Sequence, residues 1–143
     1  VSEAVDELPQ GTLTMRVPAM PADANAAGDI FGGWVMSQMD LAAGIRGAER
    51  AHGRVVTMAV QTLVFRRPVK VGDTLSIYTN VERIGRSSIT LSVEAWAQRY
   101  LTRDVEKVTE ASFVMVALDR DGRPVAVPPE APETPAVRAD AAG

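Results

Sequence analysis

Residues 30–51 form the one long stretch free of proline whose apolar positions recur at helical spacing: Ile30, Phe31, Trp34, Val35, Met36, Met39, Leu41, Ala42, Ala43 and Ile45. Asp29 stands where an N-cap is expected. The apolar residues surround nearly the whole helix, so a sheet or a partner subunit must enclose it. Glycines at 32, 33, 44 and 47 each cost about 1 kcal/mol against alanine, so something other than helix propensity favours them. After His52 and Gly53 the period changes to that of strands. RVVTMAVQTLVFRRP is apolar on both faces up to Phe65, which predicts a central, doubly buried strand ended by Pro68. VGDTLSIYTNVERIG sets Leu75, Ile77, Thr79 and Val81 against Ser76, Tyr78, Asn80 and Glu82, the alternation of a half-exposed strand. RSSITLSVEAWAQRY repeats it with Ile89, Leu91, Val93, Ala95 and Ala97 on one side, and KVTEASFVMVALD follows, closed by a DRDGRP turn. Residues 13–18 make a short first strand. One helix against five largely antiparallel strands is an α+β domain. So small a sheet leaves edges and apolar surface uncovered, which predicts at least a dimer.

Only the ends depart from this grammar. Residues 1–10 read as an acidic, irregular tail, 11–127 as a single domain, and 128–143 as a proline- and alanine-rich tail without large core residues. The length of 143 residues fits one domain. With no cysteine, a thiol nucleophile, a disulfide framework and a thiolate metal site are excluded; a single histidine excludes the two-histidine zinc motif, so no metal is expected. The 15 basic and 18 acidic residues give a net charge of −3, which argues against a nucleic-acid partner. No run of about 18 apolar residues predicts a membrane span, and the visible N-terminus lacks a secretory pattern. The expected location is the cytoplasm.

Stepping along the helix by four and three residues aligns Gly33, Ser37, Asp40, Gly44 and Gly47 on one stripe. Small residues allow a ligand or another backbone to approach, and Asp40 puts one carboxylate at the centre. A carboxylate on an apolar helix is costly unless paired or used; the plainer reading is tight packing around a structural acid. The approach to the helix, NAAGDIFGG, offers Gly32 and Gly33 beside unpaired first-turn N–H groups, which is how a backbone oxyanion site is built; a loop and cap would look the same. Asn25 in that loop is either a turn residue or an amide aimed at a substrate. Arg54, Arg66, Arg67, Lys70, Arg83 and Arg86 gather near strand ends, and GRSS brings Ser87 and Ser88 beside Arg86 as a phosphate cradle or as solvated turn residues. There is no G-x-S-x-G elbow, Walker A sequence or dinucleotide fingerprint, and His52 sits at the helix-to-strand joint.

MPADANAAGDIFGGWVMSQMD at 20–40, HGRVVTMAV at 52–60 and FRRPVKVGD at 65–73 closely resemble the YciA-like acyl-CoA thioesterases of the hotdog fold. The likeness runs over about residues 13–128, and departs at alanines 26 and 27 and at Arg66. It implies a curved antiparallel sheet wrapped round a long helix, dimers, and hexamers built as three dimers. By position it puts the catalytic carboxylate on Asp40 and the loop asparagine on Asn25, in a site at the dimer interface where the two come from different subunits. Gly32 and Gly33 match the segment that polarises the thioester carbonyl. Coenzyme A is then part of the substrate and product rather than a cofactor, and Arg54, Arg67, Lys70, Arg86, Ser87 and Ser88 are its candidate contacts. The chemistry is undemanding: a thiolate with a pKa near 8.5, if cysteine is a guide, leaves readily, so one carboxylate and aligned N–H donors suffice. Gly33 and Asp40 lie seven residues apart, about 10 Å along a helix. A non-catalytic hotdog binder of acyl-CoA and a hotdog dehydratase are the competing expectations; Asp40 speaks against the first and the place of His52 against the second.

Overall fold

A computed structural model of the chain describes residues 7–130. Its elements are β1 (Thr12–Pro18), a short turn of 3-10 helix (Pro21–Asp23), α1 (Gly32–Ala51), β2 (Val55–Gln61), β3 (Thr74–Ile84), β4 (Ser88–Gln98) and β5 (Val105–Ala117). The five strands form one sheet in the order β1-β3-β4-β5-β2, antiparallel at every pairing. The α1 helix packs against all of them. The one-helix, five-strand α+β reading therefore holds.

Alternation makes the core. Leu75 and Ile77 of β3, Ile89, Leu91 and Val93 of β4, and Phe113 and Met115 of β5 turn inward onto Val35, Met39, Ala42 and Ala43 of α1, all buried. Each large side chain of this set contributes roughly 1.5–3 kcal/mol relative to remaining exposed. Gly47 explains one helical glycine: a Cβ there would stand 3.4 Å from Val55 Cγ2 and 3.5 Å from Met115 Cγ, so its absence lets α1 lie close on the sheet.

The structure corrects two local expectations. Asp29 does not cap the helix. Phe31 occupies the N-cap without a side-chain bond, because 29–30 remain extended beside 69–70: Ile30 N donates to Val69 O at 3.1 Å, and the Asp29 carboxylate pairs with Lys70. Nor is β2 central. It is an edge strand, with Val56, Met58 and Val60 exposed to 38%, 70% and 39%. The strand is apolar on both faces although its own chain covers only one, and β4 takes the doubly flanked place instead. A bulge between Thr57 and Ala59 interrupts its pairing with β5.

Opposite the helix, on the outer face of the sheet, Lys107 and Glu94 are buried in a knot of charge. Lys107 Nζ donates to Glu7 Oε2 and Glu110 Oε2, both at 2.8 Å, and lies 3.8 Å from Glu94 Oε2. Trp96 Nε1 and Gln10 N donate to Glu94 Oε1 at 2.9 and 3.2 Å. Thus 7–10 lie on the sheet. At the other end Val127 N donates to Arg86 O at 2.7 Å and Arg50 Nη1 to Pro128 O at 2.7 Å. The remainder of both expected tails, 1–6 and 131–143, falls outside the described residues.

Candidate active site

Asp40 sits in the third turn of α1, on the side next to the β2 edge. Thr57 Oγ1, from β2, donates a hydrogen bond to Asp40 Oδ1; the same hydroxyl lies 3.4 Å from Met115 Sδ, and the charged oxygen is the stronger acceptor. Met36, Ser37, Asp40, Thr57, Val60 and Phe113 line a cavity of about 260 Å³. Thr57 is the candidate site side chain that the sequence did not single out; a lone hydroxyl in the apolar run VVTMAV is the signal that marks it. Ser37 lines the same cavity, but its Oγ donates to Trp34 O at 2.8 Å.

The start of α1 carries the second part. Trp34 and Val35 donate to Phe31 O, so the N–H groups of Gly32 and Gly33 precede the first bonds of the helix and belong to its unpaired first turn. A Cβ on Gly32 would stand 3.2 Å from Phe65 Cε2, whereas one on Gly33 would meet nothing within 4 Å. Gly32 lines a separate cavity of about 380 Å³ with Ile30, Phe65, Arg66, Arg67 and Val69. Along the stripe, Gly33 and Gly44 are open and Gly47 serves packing.

Asn25 shapes its own loop: Oδ1 accepts from Ala27 N at 2.9 Å and Asp29 N at 3.0 Å, an Asx arrangement that leaves the Nδ2 group as the part able to reach a ligand. It lines neither cavity just described. Asn25 is held in the loop before α1, bonded to Asp29, whereas Asp40 is in the third turn of that helix.

The basic residues divide as well. Arg67 and Lys70 lie at the N-terminal end of α1, Arg67 donating to Lys107 O at 2.9 Å and Lys70 paired with Asp29. Arg54 lines a cavity of about 510 Å³ with His52, Asp119 and Arg120 at the opposite end, where the main chain of Arg86 and Ser87 binds that of Val127 and Ala117. Ser88 packs beside Gly85. A helix of twenty residues separates the two groups by about 30 Å, so a single chain does not converge them on one polyanion. Among the described residues no group of three His, Cys, Asp or Glu side chains could hold a metal ion, and no helix is long and apolar enough to cross a membrane.

Residues 27–101 match the thioesterase superfamily. The chain belongs to that family. The acyl-CoA thioester hydrolase YciA of Salmonella typhimurium is 47% identical over 127 residues, covering 87% of this chain and 96% of the relative. That of Escherichia coli K12 is 47% identical over 126 residues, covering 86% and 96%. The likeness is therefore to YciA-type thioesterases throughout. Two solved structures extend it. The hexameric thioesterase y2039 of Yersinia pestis has a TM-score of 0.82 at 47% identity, covering 85% of this chain and 99% of its own. A hexameric hotdog-fold thioesterase of Campylobacter jejuni has a TM-score of 0.78 at 40% identity, covering 82% and 91%. The sheet wrapped round α1 is thus a hotdog fold, as the sequence resemblance implied.

Proposed function

We propose that this thioesterase-superfamily chain takes acyl-CoA and water to a free carboxylic acid and coenzyme A. The observation that carries the reading is the Asp40 carboxylate, pinned through one oxygen by Thr57 at the edge of an apolar cavity. With Oδ1 occupied, Oδ2 accepts a proton from water as the water oxygen attacks the thioester carbonyl carbon. The tetrahedral oxyanion is held by first-turn N–H groups at Gly32 and Gly33. Collapse breaks the carbon–sulfur bond, and the proton on Asp40 passes to the departing thiolate. No cofactor is needed, since coenzyme A enters and leaves as part of substrate and product. Acyl-CoA as substrate fits the cytoplasmic location expected from the sequence.

The site is completed by a second copy. Asp40 and the helix-start donors are about 10 Å apart within one α1, and Asn25 belongs to the loop that adjoins the helix start, bonded to Asp29. Beside Asp40 the surface is apolar and uncovered, with Leu41, Ile45 and Met58 exposed along α1 and the unpaired edge of β2. A two-fold contact across this edge would bring the N-terminal end of one α1 toward the C-terminal end of its mate. The partner's copy of the Asn25 loop then approaches Asp40. The same contact would gather Arg67 and Lys70 of one chain with Arg54, Arg86, Ser87 and Ser88 of the other into one phosphate-binding set. Three such dimers make the hexamer.

Release of free thiol from a panel of acyl-CoAs by the purified chain tests the activity. Turnover is the expected result; tight binding without turnover would make the protein an acyl-CoA binder instead. The shared site has its own test. Asn25→Ala and Asp40→Ala proteins, each nearly inactive alone, should regain activity when refolded together, and demonstrated heterodimers without recovery would put both residues in one chain's site.

A further inference from the structure

The bulge in β2 decides which side chains wall the cavity beside Asp40. In a regular strand, residues 57 and 60 point to opposite faces, because side chains alternate with a period of two. Here Thr57 pairs with Met115 and Val60 with Phe113, so only Val114 stands between the partners on β5, while Met58 and Ala59 stand between Thr57 and Val60 on β2. The extra residue returns Val60 to the helix-facing side. Both Thr57 and Val60 then line the cavity, with Met36, Ser37 and Asp40 from α1 and Phe113 from β5.

Apart from Asp40 Oδ2, which is kept for the attacking water, the side-chain polar groups of this cavity are already engaged. Ser37 Oγ donates to Trp34 O and Thr57 Oγ1 to Asp40 Oδ1. The pantetheine arm of coenzyme A carries two amide groups, which would find few partners here and would be penalised for losing water. An acyl chain beyond its carbonyl carries none. Resting on the reading of Asp40 as the group that activates water, we propose that this cavity receives the acyl chain of the substrate and that Val60 sets the length and bulk it accepts. Phe113, 1% exposed, closes the floor, while Val60 and Met36, each 39% exposed, stand at the mouth. A short acyl group ends over Phe113; a longer one passes between Val60 and Met36. Methionine adapts its shape to what lies against it. Valine is stiff at its branched Cβ, so Val60 is the fixed wall.

The test compares kcat/KM for acetyl-, butyryl-, hexanoyl- and decanoyl-CoA in the wild type, Val60→Phe and Val60→Ala, following thiol release. Val60→Phe should lower the value for hexanoyl- and decanoyl-CoA at least about tenfold more than for acetyl-CoA, the scale on which apolar pockets discriminate. Val60→Ala should shift the preference toward longer chains. Variants that change all four substrates by one common factor would overturn the assignment, because Val60 would then act on folding or on the reacting centre. Should Val60→Phe fail to fold, a folded Val60→Ala protein with an unchanged length profile overturns it equally. A wild type inert toward all four substrates would instead remove the hydrolase reading itself, and this inference with it.

Discussion

The two faces of the sheet hold their charges in contrasting ways. On the outer face, Lys107 and Glu94 are buried with Glu7, Glu110, Trp96 and Gln10 around them, so that each charged group is met by several partners. On the helix side, Asp40 is bonded only by Thr57 among the described residues, and it faces an open cavity. A buried carboxylate met by two donors and a counter-charge is suited to bracing a fold. One held by a single oxygen keeps its direction and its basicity. On the proposed mechanism, the difference separates a charge that stabilises from a charge that reacts.

Removing the cation from the outer cluster should produce the largest loss of stability. Lys107→Met leaves Glu94 buried without its counter-charge, which costs about 3–5 kcal/mol; denaturant unfolding should show it, while kcat of the folded fraction stays near the wild-type value. Thr57→Val sharpens the other side of the contrast. It leaves Asp40 charged but unpinned, so kcat should fall about tenfold, equal to about 1.4 kcal/mol, with KM and melting temperature little changed. Arg86→Ala should have a smaller effect, raising KM a few-fold at low salt without altering kcat, and the effect should fade as salt is added.

The smallest effect concerns Glu7. Its side-chain hydrogen bond with Lys107 outweighs the burial that opposes it and holds its pKa below the ordinary 4.5. A depressed folded-state pKa contributes stability that is present above the unfolded value and is lost as pH falls through the folded one. Glu7→Gln should therefore lower the melting temperature slightly at neutral pH, and the difference should vanish in acid. Lys107 shifts oppositely: burial works against its ammonium, but the hydrogen bonds it donates to Glu110 and Glu7 and the charge of Glu94 outweigh that and raise its pKa above 10.5. Its contribution persists below the ordinary lysine value and is lost only as pH rises through the raised one.

Much of this was legible in the sequence, for identifiable reasons. The inward residues of β3 and β4 alternate cleanly, and the α1 pattern has no competing period, so core and fold class followed. Asp40 stood out as the one acid on that stripe. The edge position of β2 did not, because a strand apolar on both faces looks the same whether its own chain or another copy covers it. Asp29 suited both a cap and an ion pair, and only the pairing of 29–30 with 69–70 decided between them. Asn25 suited a turn and a ligand amide, and its Oδ1 is held by the turn. That 7–10 cross the sheet to cover Glu94 and Lys107 has no local signal in the sequence. The bulge that sets Val60 beside Thr57 has no glycine to announce it.

The central claim is that Asp40 works as a base and not as a brace. Asp40→Asn keeps size and hydrogen-bonding reach and removes the charge. Measured together on the full chain, kcat for acyl-CoA hydrolysis should fall at least about 10²-fold while the melting temperature barely moves. Near-normal turnover with a shifted melting temperature would contradict the account.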